Sequence, residues 1–287
     1  MPISETDLIY RDDGSIYHLG LHPEQVPDII FTVGDPERVS TVSQCFDAVK
    51  TRVAHREFVS HMGRIGNHSL MVISSGMGTD NVEILMTELD ALVNVNRETC
   101  QPNENLRSLT IIRLGTSGAL QPEVALDSLL VSQAAVGLDT LMQFYSHPVP
   151  PVWQEAVAQL KPALDLEFTP YVAEADAELV AQFESQFQLG ITVTCPGFYA
   201  PQGRQVRLAS RQNRLLNKLI SFRLASGPLS NLEMETAGYY ALGKLLGHRM
   251  LSVNAILANR ATGRFSSHPQ KTILNMIEQV LVKMDEF

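Results

Sequence analysis

Two arginines stand where an apolar run meets glycine, and that placement limits what they can be for. Arg38 closes the run Gly34-Asp35-Pro36-Glu37-Arg38, directly after Ile29-Ile30-Phe31-Thr32-Val33. Asp35 can cap a helix whose first position is Pro36, which puts Gly34 where a strand turns into a helix N-terminus. Free backbone N–H groups and the helix dipole favour an anion there. A cation in the first helical turn is mildly unfavourable for the helix itself, so Arg38 is offset either by Asp35 or Glu37, or by an anionic ligand. Arg113 follows Leu109-Thr110-Ile111-Ile112 and precedes Leu114-Gly115-Thr116-Ser117-Gly118. A guanidinium at the end of an apolar strand must be paired or must bind something, because burying it alone is costly. Ligands of α/β sheets gather beyond the carboxyl ends of strands. The glycines and hydroxyls after Arg113 offer close backbone approach and donors to phosphate oxygens, while a structural ion pair is the competing reading.

These residues need a frame, and the sequence repeats one: a short apolar run, a glycine-rich turn, then a helical pattern. Ile29–Val33 leads into Gly34-Asp35-Pro36, Ser69–Ile73 into Gly76-Met77-Gly78, and Leu109–Ile112 into Gly115-Thr116-Ser117-Gly118. Further strand-like runs are Ser128–Val136, Ile191–Thr194 and Met250–Leu257. Strands so short and apolar belong to a sheet covered on both faces, so the fold class is α/β. Val82, Leu85, Met86, Leu89, Leu92 and Val93 form one helical stripe, with Asp80 and Glu83 spaced as a capping box at its start. Ala237, Tyr240, Ala241 and Leu245 mark a helix ending near Gly247, and Ile273, Ile277, Val280, Leu281 and Met284 mark a last one. His147-Pro148-Val149-Pro150-Pro151 reads as a surface loop ahead of two helices between Trp153 and Phe187.

Composition removes several function classes. The 287 residues are 45% hydrophobic and 18% charged, an ordinary globular balance. The net charge of −9, with no basic block, argues against nucleic acid as a partner and requires individually placed arginines to hold any anionic ligand. Cys45, Cys100 and Cys195 are scattered and form no CxxC pair, which fits a reducing cytoplasm rather than a disulfide or zinc framework. The eight histidines contain no HExxH. Met1 to Arg11 lacks the basic-then-apolar order of a signal peptide, and no apolar run is long enough to span a membrane. Gly76-Met77-Gly78-Thr79-Asp80-Asn81 starts like a dinucleotide fingerprint but has Asn81 where the third glycine belongs, and there is no P-loop.

Six segments in order carry a resemblance: His18-Leu19-Gly20-Leu21, Gly34-Asp35-Pro36-Glu37-Arg38-Val39, His55-Arg56-Glu57-Phe58, Arg113-Leu114-Gly115-Thr116-Ser117-Gly118, Phe198-Tyr199-Ala200-Pro201-Gln202-Gly203-Arg204 and Glu233-Met234-Glu235-Thr236. From about Tyr17 to Arg260 the chain resembles the uridine phosphorylases of the nucleoside phosphorylase family. The resemblance implies one domain over residues 1–287, a three-layer α/β/α sandwich whose mixed, partly barrel-like central sheet is flanked by helices. Residues 1–16 would be an N-terminal extension and 97–108 an inserted loop. It implies a phosphate site from Gly34, Arg38, Arg113 and Thr116, joined by Arg56 of a neighbouring subunit. Ribose would be held by Glu235, Met234 and Thr116, with His18 reaching across the same boundary. The base would meet Phe198, Gln202 and Arg204, and Arg113, Glu235 and Arg204 would be the catalytic group. No cofactor is implied: inorganic phosphate is a co-substrate. In bacterial relatives a glutamate matching Glu57 belongs to a monovalent-cation site between subunits, but the segment supplying its other ligands has become Gly78-Thr79-Asp80-Asn81 here. Leu232 stands where those enzymes have an aromatic residue, a departure that would widen the pocket.

The chemistry these residues suit is phosphorolysis of a C1′–N bond. Arginines would orient the attacking anion, a carboxylate would grip the sugar, and a donor would meet the departing base. A side-chain amide both donates to and accepts from a uracil edge, whereas a guanidinium only donates, so Gln202 with Arg204 favours uracil over cytosine. Purine-specific relatives usually present an aspartate to the base, and none stands between Phe198 and Arg204. A purine or broad-specificity phosphorylase and a non-catalytic nucleoside sensor are the alternatives. A homo-oligomer is expected, dimer or hexamer, because His18 and Arg56 would act across an interface.

Overall fold

The structure is a computed structural model and describes residues 2–212 and 214–283. In chain order it runs β1 (Ile29–Val33), α1 (Pro36–Ser43), β2 (Ala48–His55), β3 (Phe58–Ile65), β4 (His68–Ser74), α2 (Thr79–Asn94), β5 (Val95–Asn96) and β6 (Gln101–Pro102). There follow β7 (Thr110–Ala119), β8 (Leu129–Gly137), α3 (Pro151–Ala163), β9 (Tyr171–Glu174), α4 (Ala177–Phe183), β10 (Gln188–Thr194), α5 (Leu215–Ser221) and β11 (Arg223–Leu224). β12 (Gly227–Glu233), α6 (Thr236–Leu246), β13 (Arg249–Asn259), β14 (Arg264–Phe265) and α7 (Pro269–Leu281) complete it. Met284, expected on the last helix, lies outside the described residues.

The main sheet has the order β11-β12-β10-β8-β13-β7-β1-β4-β3-β2. An added antiparallel pairing of β12 with β7 closes β12, β10, β8, β13 and β7 into a five-strand barrel. The expected three-layer architecture with a partly barrel-like mixed sheet is therefore present. Its cause is legible in single residues. Ile30, Met71, Ile73 and Ile111 point into a core shared with α2 and α6, whereas the alternate residues Phe31, Leu70, Val72 and Ile112 point into one shared with α1, α4 and α7. Period-two alternation between two apolar faces is what a sheet covered on both sides requires. A third cluster packs α3 and α5 against the barrel's far side.

Three expectations are corrected. Gly115-Thr116-Ser117-Gly118 is not a turn: β7 continues to Ala119 and stays paired with β13 throughout. Gly115 also makes room, because a side chain there would lie 1.8 Å from the Arg113 guanidinium. Asp80 and Glu83 form no capping box: α2 starts at Thr79, behind Gly78 at φ +96°, with no side chain capping it. A positive φ of that kind costs glycine little and other residues much. Finally, β2, β3, β9 and β12 have no counterpart among the strand-like runs. β2 is largely exposed, and β12 hides its pattern because Ser230 and Asn231 are polar yet buried.

Other ends agree with their sequence signals. Asp35 caps α1, accepting the Glu37 N–H at 2.9 Å with Pro36 at the first position, and Gly247 at φ +80° ends α6. Pro151 opens α3. The N-terminal segment packs on the hairpin turn between β5 and β6: Ile3 donates to the Cys100 carbonyl at 2.7 Å, and the Arg97 guanidinium sits 5.0 Å from the Tyr10 ring centre. No described helix is long and apolar enough to cross a membrane.

Candidate active site

A cleft of about 700 Å³ opens where β1, β7 and β12 end. Of the residues singled out from sequence, Gly34, Arg38, Arg113, Thr116, Met234 and Glu235 line one end of it, and Phe198, Gln202 and Arg204 the other. Glu57 lines it as well. His18 and Arg56 do not.

Arg113 is the hub of the first end. β7 carries it into the interior, where its side chain is 5% exposed. Nη2 donates to Glu235 Oε2 at 2.6 Å and lies 3.0 Å from Glu233 Oε2, while Nη1 donates to Asn254 Oδ1 at 3.0 Å and to Ser252 Oγ at 3.3 Å. Burial opposes its charge, but Glu233 and then Glu235 outweigh that and hold its pKa above the ordinary arginine value. Glu235 is the N-cap residue of α6. Its other oxygen accepts the Gly78 N–H at 2.8 Å, which ties the cap of α6 to the glycine ahead of α2. Burial raises the Glu235 pKa, with Arg113 working against it.

Glu233 was missed as a site residue. Glu233 ends β12 and Glu235 is the N-cap of α6, so both can face the same site. Glu233 Oε2 accepts from Glu235 N, Thr236 N and Thr236 Oγ1, each at 2.9 Å, and Oε1 accepts from Thr194 Oγ1 at 2.6 Å. A lone glutamate at a strand end gives no sequence signal for so many partners.

Arg38 is different. Its guanidinium is largely withdrawn from solvent, donates to the Leu114 carbonyl at 3.3 Å, and makes no ion pair among the described residues. Burial lowers its pKa; Asp35 partly restores it and Arg113 adds repulsion. Neither Asp35 nor Glu37 touches it directly. A half-buried cation beside a second cation is a place where an anion relieves two costs at once.

The second end is built on irregular chain. Arg204 lies 3.6 Å from the Phe198 ring centre, donates to the Phe198 carbonyl at 2.7 Å, and donates to Gln202 Oε1. Burial, then repulsion from Arg260, pushes its pKa down to about 10. Arg260, just past β13, donates to the Gln202 carbonyl at 3.1 Å. Sequence reading did not single it out. The signal was available in the sequence, since Arg260 comes just after the apolar run Met250–Leu257 as Arg113 comes after Leu109–Ile112. Leu232 and Gly118, paired across β12 and β7, wall the cleft between its two ends.

His18 and Arg56 sit together at another surface. His18 Nδ1 lies 2.6 Å from Glu88 Oε1, and its carbonyl accepts from His55 Nδ1 at 2.9 Å. Arg56, at φ +54° in the turn between β2 and β3, stacks 5.2 Å from the centre of the Tyr17 ring. Glu57 offers one carboxylate, and no group of three histidine, cysteine or acidic residues suited to a metal occurs among the described residues.

Comparison with known proteins gives a consistent outcome. A profile of the phosphorylase superfamily matches residues 28–284. The chain is 30% identical over 278 residues to a uridine phosphorylase of Thermococcus kodakarensis, covering 96% of this chain and 90% of that one. It is 28% identical over 247 residues to the Salmonella typhimurium uridine phosphorylase, 85% of this chain and 86% of that one. Among solved structures, a Trypanosoma brucei nucleoside phosphorylase described as showing uridine phosphorylase activity superposes with a TM-score of 0.86 at 26% identity, covering 96% of this chain and all of that one.

Proposed function

The chain belongs to the phosphorylase superfamily, and we propose that it splits uridine with inorganic phosphate, reversibly, to uracil and ribose 1-phosphate. The observation that carries this reading is the polarity of the cleft: an unpaired Arg38 beside Arg113 at one end, an amide and a guanidinium at the other.

A phosphate oxygen attacks C1′ as the C1′–N1 bond breaks, and the bonding pair leaves with uracil, which then takes a proton from solvent. Arg38 and Arg113 orient the phosphate, whose charge favours the oxocarbenium-like sugar. Glu235 shares its Oε2 between Arg113 and a ribose hydroxyl and so fixes the sugar, with Met234 and Thr116 beside it. Arg204 stabilises negative charge on a uracil carbonyl as the base departs, and Gln202 meets the base edge once substrate takes its oxygen from Arg204.

Charge counting supports a second copy. Within one chain Arg38 and Arg113 are cancelled by Glu233 and Glu235, so a phosphate dianion calls for a further cation. Arg56 from a neighbouring copy would supply it, with His18 from the same copy reaching the ribose 5′-hydroxyl. The imidazole is held by Glu88, which leaves Nε2 free for that contact. The protein is thus a homo-oligomer with shared sites. Three free thiols fit work in the cytoplasm, in nucleoside salvage.

Uracil release from uridine, measured with and without inorganic phosphate beside inosine and cytidine, tests the reading. Phosphate-dependent cleavage of uridine alone is the expected result. Cleavage of inosine, or cleavage without phosphate, would overturn the substrate or the nucleophile.

A further inference from the structure

The barrel interior is polar, and its polarity has a direction. Each of the five barrel strands contributes a buried side chain to one hydrogen-bonded belt. From Arg113 on β7 it passes to Asn254 on β13 at 3.0 Å, and on to Ser132 on β8 at 3.0 Å. It continues to Thr192 on β10 at 2.5 Å, to Asn231 on β12 at 2.9 Å, and back to Ser117 on β7 at 2.9 Å. Ser132, Thr192, Asn231 and Asn254 are fully buried. An apolar packing would hold a barrel together as well, and a buried polar network is tolerable only when every member is satisfied.

The Arg113 guanidinium and the placement of the Asn231 amide, with its oxygen towards Thr192 and its nitrogen towards Ser117, set which way each bond runs. A guanidinium only donates, so Asn254 presents its oxygen to Arg113 and its amide N–H to Ser132. Thr192 donates its single proton to Asn231, so the Ser132 proton goes to Thr192. Asn231 then donates to Ser117. Ser117 accepts and keeps its own proton unspent, and Ser117 is one of the cleft's lining residues, between Thr116 and Gly118.

Resting on the phosphorolysis reading above, we propose that this belt is a positioning device: Asn254 holds the Nη1 edge of Arg113 for phosphate, and the far end sets the Ser117 hydroxyl to donate to a carbonyl of the bound base. The two carboxylates grip only Nη2, so the guanidinium is kept from turning about that edge by Asn254 at 3.0 Å and, at a longer 3.3 Å, by Ser252. Asn254 also holds Nη1 without adding a third negative charge beside the phosphate.

Thr192→Val removes the middle hydroxyl at nearly constant volume and touches no cleft residue. It and Ser117→Ala should each lower kcat/KM for uridine about tenfold with the phosphate KM unchanged, and the double variant should be no worse than either single. Thr192→Ser should restore the rate. Asn254→Ala should instead raise the phosphate KM about tenfold. Wild-type kinetics in Thr192→Val, losses that multiply in the double variant, or lower melting temperatures with unchanged kinetics would overturn the belt. If the wild-type chain does not split uridine, the substrate reading falls separately. The belt is then judged by thermal stabilisation with inorganic phosphate, which Asn254→Ala must weaken; equal stabilisation overturns it.

Discussion

The two ends of the cleft are built by opposite means. At the phosphate end, Arg113 comes from within β7, Glu233 from the end of β12 and Glu235 from the cap of α6; each is under a tenth exposed, and they share a closed set of hydrogen bonds. At the base end, Phe198 is half exposed, and Arg204 and Gln202 hold each other on a segment of irregular chain. The first is pre-organised by the fold. The second is organised by its own side chains and must exchange those contacts for a ligand's. The lesson is that losses at the first end should damage folding and chemistry together, while losses at the second should damage chemistry more than folding.

The largest effect follows from Arg113→Ala. It should cost more than a hundredfold in kcat/KM, as expected for removal of a main charge stabiliser. It also strands two buried carboxylates, a loss of about 3–5 kcal/mol of stability. Steady-state kinetics and denaturant unfolding on the same preparation check both, and near wild-type turnover would refute the phosphate end as described.

Next is Arg204→Ala, which should lower uridine cleavage by roughly a hundredfold, one well-placed donor being worth about 2.7 kcal/mol. Its melting temperature should move less than that of Arg113→Ala, because Phe198 is half exposed and the truncation strands one neutral amide oxygen of the buried Gln202 rather than two carboxylates. A stability loss comparable to that of Arg113→Ala would erase the contrast between the two ends.

The smallest effect is a pH dependence. Burial holds the Glu235 carboxyl above the ordinary glutamate range. Between the ordinary and the raised value the folded chain keeps a proton that the unfolded chain has released, so stability contributed through this group falls as pH rises across that window. Activity runs the other way, since a protonated Glu235 cannot accept from both Arg113 and the sugar. The acid limb of kcat/KM should therefore lie above the pH at which an ordinary glutamate titrates, and Glu235→Gln should be slow with that limb gone. An unchanged limb in the variant would assign it to another group.

Much of the molecule was legible before any coordinates. Strand β1, the Asp35–Pro36 start of α1 and the Gly247 stop of α6 were readable because each depends on neighbours in sequence: alternation, a cap, a positive φ. Arg113 was readable as anomalous because a buried cation announces a partner wherever it is. The residues that answer it were not. Glu233 and Asn254 lie 120 and more positions away in sequence, and β12 escaped notice because its polar residues face a barrel interior that exists only after β12 pairs with β7.

The sequence by itself determined the α/β class, the start of α1, the stop of α6 and the presence of an arginine that needs partners in an apolar strand, since propensity, capping and charge are local properties. The tertiary structure alone decided that β7 runs straight through its glycines, that Glu233 and Glu235 both serve Arg113, and that five strands share one polar belt. Those are outcomes of barrel closure, in which hydrogen-bond pairing brings distant positions within 3 Å, and no pattern along the chain encodes which of them will meet.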